Sequence, residues 1–319
     1  MTAQKIPLIG VVGPTASGKT RLGVQLARHF DGEVVSVDSM QIYKTMDVAT
    51  AKPTLEEMEG IPHHLVDFLP LDQPFSLAEY QVLAEKAIRE IRSRNRMPVL
   101  VGGTGLYLHT LIDHVSLSET GEDPALRKRL TDIAREQGNE ALLDMLRKLD
   151  PETAERLHPN NLPRVIRAIE VCQLTGKPMS QHLRESRLRE SPYAPCLIGL
   201  DCRDRQKLYD RINRRVDLMM EQGLLEEARQ AMETSMQTAA QAIGCKELFP
   251  YLRGEASLEA CVDHLKQSTR HYAKRQLTWF RRDPRIFWIY LDEEKDFLEI
   301  LKKSVLTVEN SGILCYNKV

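Results

Sequence analysis

This 319-residue sequence has no large excess of positive or negative charge, no closely spaced cysteine pairs and no long apolar runs. The formal net charge is −1, so no overall field attracts polyanions, and any such contact must come from local basic patches. None of the six cysteines belongs to a Cys-x-x-Cys pair or stands at zinc-site spacing, which favours reduced thiols in a cytoplasmic protein. No stretch reaches the roughly 18 consecutive apolar residues of a membrane span. Few aromatic residues and many charged ones are typical of a helix-rich globular protein.

Apolar patterning along the chain alternates between strand and helix. Runs of apolar or β-branched residues predict strands at 6–12, 33–37, 98–101, 194–200 and 286–291. Apolar residues at helical spacing predict helices over 19–30, 76–94, 204–223 and 259–282. Apolar strands that alternate with helices indicate a parallel sheet covered on both faces.

The strand pattern is interrupted after the third strand. Asp123-Pro124 and Asp150-Pro151 each place a capping residue before a first-turn proline, and another helix opens near Pro163 and stops at Gly176. This stretch predicts an inserted all-helical domain. The expected division by residue number is a core of 1–116 and 191–309, an insertion of 117–190 and a loose tail of 310–319.

A phosphate-binding loop pattern, G-x-x-x-x-G-K-[ST], lies between the first strand and the first helix. Its residues are Gly13, Pro14, Thr15, Ala16, Ser17, Gly18, Lys19 and Thr20. The glycines let backbone N–H groups turn inward, Lys19 supplies a positive charge to a phosphate, and Thr20 can ligate Mg²⁺. The predicted fold class is therefore α/β, a P-loop NTPase-like core with a central parallel sheet flanked by helices. The motif specifies phosphate and leaves open a small-molecule kinase or an enzyme whose leaving group is diphosphate.

Two polar residues follow predicted strands. Asp38 ends the second strand, where a carboxylate should face the bound phosphates as a general base or an indirect Mg²⁺ ligand, although it could also cap a turn. Thr104 follows the third strand and Gly102-Gly103, so it should emerge at the same edge. Its hydroxyl could orient a substrate, cap the next helix, or do both.

Arginines of the second half are candidates for anion contacts. Arg215 falls at the edge of the apolar stripe of its helix, where it either reaches a buried anion or extends along the core. Arg164 and Arg167 share a helix face that we expect to be exposed to solvent or to grip a nucleic-acid backbone. Basic residues interleave with aromatic ones over 266–285, a pattern suited to a polyanion with exposed bases, although a solvated helix face has the same pattern.

Taken in order, these motifs resemble the bacterial tRNA dimethylallyltransferases, also called tRNA isopentenyltransferases, over nearly the whole chain. The residues that carry the resemblance are Gly13–Thr20, Val37–Tyr43, Thr50–Pro53, Pro62–Asp67, Val101–Thr104, His158–Asn160 with Arg164 and Arg167, Gln241–Gly244 and Lys274–Trp279. Ala49 and Cys245 depart from the family pattern, which commonly has glycine and an aromatic residue there.

The resemblance implies transfer of the dimethylallyl group of dimethylallyl diphosphate to N6 of the adenine just 3′ of the tRNA anticodon, with Mg²⁺ as cofactor and a single cytoplasmic copy of the chain as the enzyme. The phosphate-binding loop and Arg215 would hold the diphosphate, Asp38 would take the amine proton, and Thr104 would lie in the reaction channel. The positions expected to contact tRNA are Asp38, Ser39, Met40, Gln41, Thr104, Arg127, Pro163, Arg164, Val165, Ile166, Arg167, Ala240, Gln241, Ala242, Ile243, Gly244, Cys245, Lys274 and Arg275.

Two other functions remain open from the sequence. One is a prenyltransferase that acts on free adenine nucleotides, although the insertion and the basic helix argue against so small an acceptor. The other is a P-loop kinase or an ATP-dependent RNA-binding protein.

Overall fold

The computed structural model describes residues 5–115, 121–187, 190–233 and 242–317. The chain divides into two compact units, one made of Met1–Ile112 with Pro192–Val319 and the other of Asp113–Ser191. Of the helices in the described ranges, none combines the length and apolar character that crossing a membrane requires.

The first unit is built on a sheet whose strands, within the described residues, are β1 Ile6–Val12, β2 Gly32–Ser36, β3 His63–His64, β4 Met97–Val101, β5 Tyr193–Asp201 and β6 Ile286–Tyr290. All neighbouring pairs are parallel, in the order β3-β2-β4-β1-β5-β6. The predicted parallel α/β core is confirmed. Because all strands run the same way, the loops after β1, β2 and β4 emerge at one edge of the sheet.

In chain order, the helices are α1 Lys19–His29, α2 Leu55–Met58, α3 Leu77–Ser93, α4 Gly105–Ile112, α5 Pro124–Gln137, α6 Asn139–Leu149, α7 Pro151–Arg156, α8 Leu162–Thr175, α9 Met179–Arg187, α10 Arg205–Glu221, α11 Leu224–Glu233, α12 Phe249–Leu252, α13 Leu258–Phe280 and α14 Phe297–Asn310. Helices α5 to α9 belong to the second unit.

Helices cover both faces of the sheet, because its apolar strands must be shielded on both sides. Buried residues of α3 and α4, such as Ile88 and Leu108, pack on one face. Buried residues of α1 and α14, such as Leu22 and Ile300, pack on the other. The predicted loose tail is wrong for residues 313–317: they form a 3-10 helix whose Ile313 is buried in the second of these cores.

The second unit has its own apolar core, which includes Leu130, Leu142 and Ile169. The predicted starts of its helices are confirmed, since the carboxylates of Asp123 and Asp150 accept hydrogen bonds from the first turns of α5 and α7. Helix α8 ends at Gly176, as its left-handed backbone conformation permits.

Candidate functional site

The loop between β1 and α1 forms an open ring of backbone donors. Gly18 has a φ of 85° and Ala16 a φ of 63°, conformations that turn successive N–H groups to one side. Within the described residues, the backbone N–H groups from Ala16 to Thr20 donate to no protein atom. These donors lie at the amino terminus of α1, so the loop is suited to an anion with several oxygens.

Lys19 is a half-buried cation of this loop. Its Nζ donates to the carbonyl of Pro14 at 2.6 Å, and no carboxylate pairs with it among the described residues. Burial, together with the nearby charge of Arg215, lowers the pKa of Lys19 to about 7, against the opposing effect of Asp38. An anion held in the loop would supply the counter-charge that Lys19 otherwise lacks.

Arg215, on α10, is a second cation beside Lys19. Its Nε is buried and has no hydrogen-bond partner among the described residues, an arrangement that is costly unless a ligand supplies an acceptor. Burial lowers the pKa of Arg215, and the carboxylates of Glu57 and Asp38 oppose that effect. The neighbouring Arg211 donates from Nε to the carbonyl of Ala16 at 2.9 Å and so holds the loop itself. Sequence analysis did not assign Arg211 to the site.

Asp38 follows β2, and its carboxylate both stabilises a turn and faces the candidate site. Its Oδ1 accepts hydrogen bonds from the N–H groups of Met40 at 2.9 Å and Gln41 at 3.3 Å. Its Oδ2 accepts none from the described residues. Burial raises the pKa of Asp38, while the two N–H groups and the charges of Lys19 and Arg215 oppose the rise. The turn therefore fixes the carboxylate and leaves one oxygen to take a proton or a hydrogen bond.

Thr104 is tied to the same turn. Its N–H donates to the carbonyl of Val37 at 3.1 Å, and its Oγ1 accepts from the N–H of Ser39 at 3.2 Å. The preceding Gly102 permits this approach, because a Cβ there would lie 2.1 Å from the Val37 carbonyl oxygen. The structure thus brings the segments after β2 and β4 together. Thr104 immediately precedes α4, but its hydroxyl bonds to Ser39 instead of to that helix.

The oxygen donors of the site suit Mg²⁺. The hydroxyl of Thr20 makes no hydrogen bond to the described residues, and Asp38 adds a carboxylate close to the loop. No group of three or more His, Cys, Asp or Glu side chains that could hold a metal occurs in the part of the chain that the structure describes. A few hard oxygen ligands fit Mg²⁺, which usually keeps waters and shares substrate phosphates, better than a metal that needs a complete protein cage.

Gln276 and Tyr272, both on α13, also border the site and were missed as site residues. Gln276 is buried and contacts the loops after β1 and β4. Tyr272 lies within hydrogen-bonding reach of Thr104 and Gln276, and burial raises its pKa. One sequence signal could have identified Gln276: a polar side chain in line with Ala273, Leu277 and Phe280 on the apolar face of a helix.

The tRNA positions predicted in the first unit differ in exposure. Ser39, Met40 and Ile243 are half-buried, and the Gln41 carboxamide is bonded to the carbonyls of Thr50 and Ala51 and to Ser36. Ala242 and Cys245 are buried, Gly244 has a φ of 121°, and Ala240 and Gln241 lie outside the described residues. Buried side chains leave only backbone atoms for a contact.

In the second unit, two predicted arginines share one buried acid. Glu170 is fully buried, and its carboxylate accepts hydrogen bonds from Arg127 at 2.9 Å on each oxygen and from Arg167 at 2.6 Å. These bonds lower the pKa of Glu170 against the effect of burial. Arg127 also pairs with the exposed Glu122 at 2.9 Å, so two acids hold these two arginines.

The remaining second-unit positions lie on α8. Pro163 and Arg164 are exposed on its first turn, whereas the side chains of Val165 and Ile166 are in the core. The burial leaves only backbone atoms of Val165 and Ile166 to contact RNA.

The basic residues of the 266–285 segment differ in whether an acidic side chain neutralises their charge. Lys266, Arg281 and Arg285 each pair with an aspartate. Lys274 and Arg275 are exposed, and neither pairs with a carboxylate among the described residues. Arg270 also has no carboxylate partner among the described residues, but it is partly buried and donates to Asn213 Oδ1 at 2.7 Å, so Lys274 and Arg275 are the more accessible cations of α13.

Comparison with known proteins identifies the family. The family model described as IPP transferase matches residues 41–283, a range that begins after the phosphate-binding loop. A tRNA dimethylallyltransferase of Bacillus subtilis is 46% identical over 309 residues, covering 96% of this chain and 98% of the relative. One from Acetivibrio thermocellus is 48% identical and covers 95% of this chain and 97% of the relative.

Solved structures agree. A tRNA isopentenylpyrophosphate transferase from Bacillus halodurans is 44% identical with a TM-score of 0.71, covering 97% of this chain and 99% of that chain. A eukaryotic dimethylallyltransferase acting on tRNA is 31% identical with a TM-score of 0.81, covering 96% of this chain and 80% of that chain. With matches over almost its full length, the chain belongs to the IPP transferase family.

Proposed function

We propose that this chain transfers the dimethylallyl group of dimethylallyl diphosphate to N6 of the adenine just 3′ of a tRNA anticodon and releases diphosphate. The observation that carries the proposal is the buried Arg215 Nε without a partner, next to Lys19 and the open N–H groups of the loop. A diphosphate would satisfy all of these donors. The similarity to tRNA dimethylallyltransferases, one of them a eukaryotic enzyme acting on tRNA, supports tRNA as the acceptor.

The loop and the two cations act on the leaving group. Adenine N6 is a poor nucleophile because its lone pair is delocalised into the ring, so the C–O bond of the donor must be weakened. As that bond breaks, its electron pair passes to the diphosphate, and the allylic carbon carries the remaining positive charge. Lys19, Arg215 and the loop N–H groups stabilise the developing negative charge in a buried site. Thr20 and Asp38 would hold Mg²⁺, which when bound would supply further Lewis-acid charge to the diphosphate.

Asp38 and Thr104 act on the acceptor. N6 forms a bond to the allylic carbon and becomes cationic, and the free Oδ2 of Asp38 accepts the N–H proton. The Asp38 carboxylate is already oriented by the Met40 and Gln41 N–H groups, so little reorganisation is needed. Thr104, anchored to Ser39, would orient the amine beside it.

The RNA contacts are supported by exposed or partly exposed cations on each unit. The RNA phosphates would be contacted by Lys274 and Arg275 on α13 and by Arg164, Arg127 and Arg167 on the second unit. The adenine must leave its stack to reach Asp38, as in other enzymes that react with a base. All the proposed catalytic groups come from one chain, so one copy would suffice, and with tRNA as its acceptor the enzyme would act in the cytoplasm.

The experiment compares three acceptors. The protein is incubated with Mg²⁺ and labelled dimethylallyl diphosphate together with unmodified tRNA, AMP or ATP. The proposal predicts label in tRNA alone. Label in AMP and not in tRNA would point to a nucleotide prenyltransferase, and ATP turnover without prenyl transfer would point to a kinase or an ATP-dependent RNA-binding protein; either result would reject the proposal.

A further inference from the structure

The buried side chain of Gln276 joins two loops of the site. Gln276 is 6% exposed. Its carboxamide oxygen accepts a hydrogen bond from the N–H of Thr15 at 2.9 Å. Its Nε2 donates to the carbonyl of Gly103 at 3.0 Å. One side chain on α13 therefore connects the phosphate-binding loop to the residue before Thr104.

The contact is close on the Gly103 side. A Cβ at Gly103 would lie 2.1 Å from Gln276 Nε2, so only glycine leaves room for the carboxamide. The bond needs an acceptor and a donor on one side chain, and a carboxamide supplies both. A hydrophobic side chain of the same length would leave both a buried N–H and a buried carbonyl without partners.

Gln276 also affects which loop amides face the ligand. The Thr15 N–H is bonded to Gln276, whereas the N–H groups from Ala16 to Thr20 are not bonded to the described protein. The carboxamide thereby fixes the loop backbone at Thr15 and leaves the N–H groups of the residues that follow available to an anion. The exposed Lys274 and Arg275 lie two residues and one residue before it, respectively, on the same helix.

We propose that Gln276 is a positioning residue, which holds the diphosphate-binding loop in place relative to Thr104. The inference rests on the proposed function, since it concerns the distance between the donor held by the loop and the amine held near Thr104. A displacement of about 1 Å between reacting groups can reduce the rate by roughly 100-fold. Gln276 would act through the two loops without touching the reacting atoms.

The test compares Gln276→Met with Gln267→Met. Gln267 lies on the same helix, is exposed and takes no part in the site, so it controls for the same substitution. We expect Gln276→Met to lower kcat for prenyl transfer by about 10- to 100-fold, with the Kd for tRNA within about twofold of wild type and with Gln267→Met unchanged. A folded Gln276→Met protein with wild-type kcat per active site would overturn the inference, even if its Tm were lower.

A second variant covers the case in which Gln276→Met does not fold. Gly103→Ala keeps the glutamine but places a methyl group against its Nε2. We expect a similar loss of kcat in Gly103→Ala protein that remains folded by circular dichroism. Wild-type kcat in that variant would count against the role of the bridge.

Binding of Mg²⁺ with inorganic diphosphate separates the two proposals. If wild-type protein and Gln267→Met transfer no prenyl group, the proposed function fails, whatever Gln276 does. In that event, Gln276→Met should still bind diphosphate more weakly than Gln267→Met, by about tenfold if a misdirected loop costs one hydrogen bond to a charged group. Equal diphosphate affinities would overturn the positioning role independently of activity.

Discussion

The pKa of Lys19 predicts how donor binding depends on pH. In the free protein burial and Arg215 lower that pKa to about 7, so at higher pH most molecules hold a neutral amine beside the loop. A bound diphosphate favours the ammonium form and raises the pKa. The terminal phosphate of the donor has lost its last proton above about pH 6, so the charge of the ligand is constant across the relevant range. Binding above pH 7 therefore requires Lys19 to take up a proton.

The magnitude follows from the protonated fraction of Lys19. With a free pKa of about 7 and a bound pKa near the ordinary value of 10.5, the Kd for dimethylallyl diphosphate should rise about tenfold by pH 8 and about 100-fold by pH 9. Isothermal titration calorimetry at fixed Mg²⁺ measures this Kd, and buffers of different ionisation enthalpy report the proton uptake.

A Lys19→Arg variant is the matched control, because a guanidinium stays protonated throughout this range. At pH 6.5 its Kd should equal or exceed that of wild type. From about pH 7 to pH 9 its Kd should not change with pH. A flat wild-type profile would refute the reasoning. An equally steep profile in Lys19→Arg would assign the pH dependence to another group.

Three further variants test the site and the second unit. Asp38→Asn, which keeps an acceptor for the Met40 N–H, should lower kcat by at least about 100-fold with the Kd for tRNA nearly unchanged; loss of tRNA binding would contradict the assigned role. Arg215→Ala should raise KM for dimethylallyl diphosphate and lower kcat, by about 100-fold in kcat/KM if it removes about 3 kcal/mol of charge-assisted bonding, and unchanged steady-state constants would remove it from the site. Glu170→Ala leaves Arg127 and Arg167 without their shared acid and should lower the free energy of unfolding by about 2 kcal/mol. This is less than the loss expected for a fully buried ion pair, because both arginines are partly exposed. An unchanged midpoint of urea denaturation would show that these ion pairs do not stabilise the fold.

The sequence predicted local features well where a single segment determines them. The loop from Gly13 to Thr20 has a pattern that specifies its backbone shape, as the positive φ angles of Gly13, Ala16 and Gly18 show. Caps such as Asp123 and Asp150 also act within one helical turn, and their positions were confirmed. Apolar runs identified β1, β2, β4, β5 and β6, because burial on both faces requires them, whereas the two-residue β3 has no apolar run and was not predicted.

Sequence patterns did not predict features that depend on contacts between segments far apart in the chain. The bridge from Gln276 to Thr15 joins residues 261 positions apart. The burial of Glu170 between two arginines likewise depends on how α5 packs on α8. The tail prediction failed because residues 310–319 look polar in part, whereas Ile313 fills a gap in the core that only the folded sheet creates.

The most direct test of the central claim measures the products of a single turnover. Protein, Mg²⁺, labelled dimethylallyl diphosphate and unmodified tRNA are mixed without ATP, the released diphosphate is quantified, and the tRNA is digested and analysed by mass spectrometry. We predict one diphosphate released for each labelled adenosine, with the label on N6 just 3′ of the anticodon. Diphosphate release without labelled tRNA, or a strict requirement for ATP, would contradict the account.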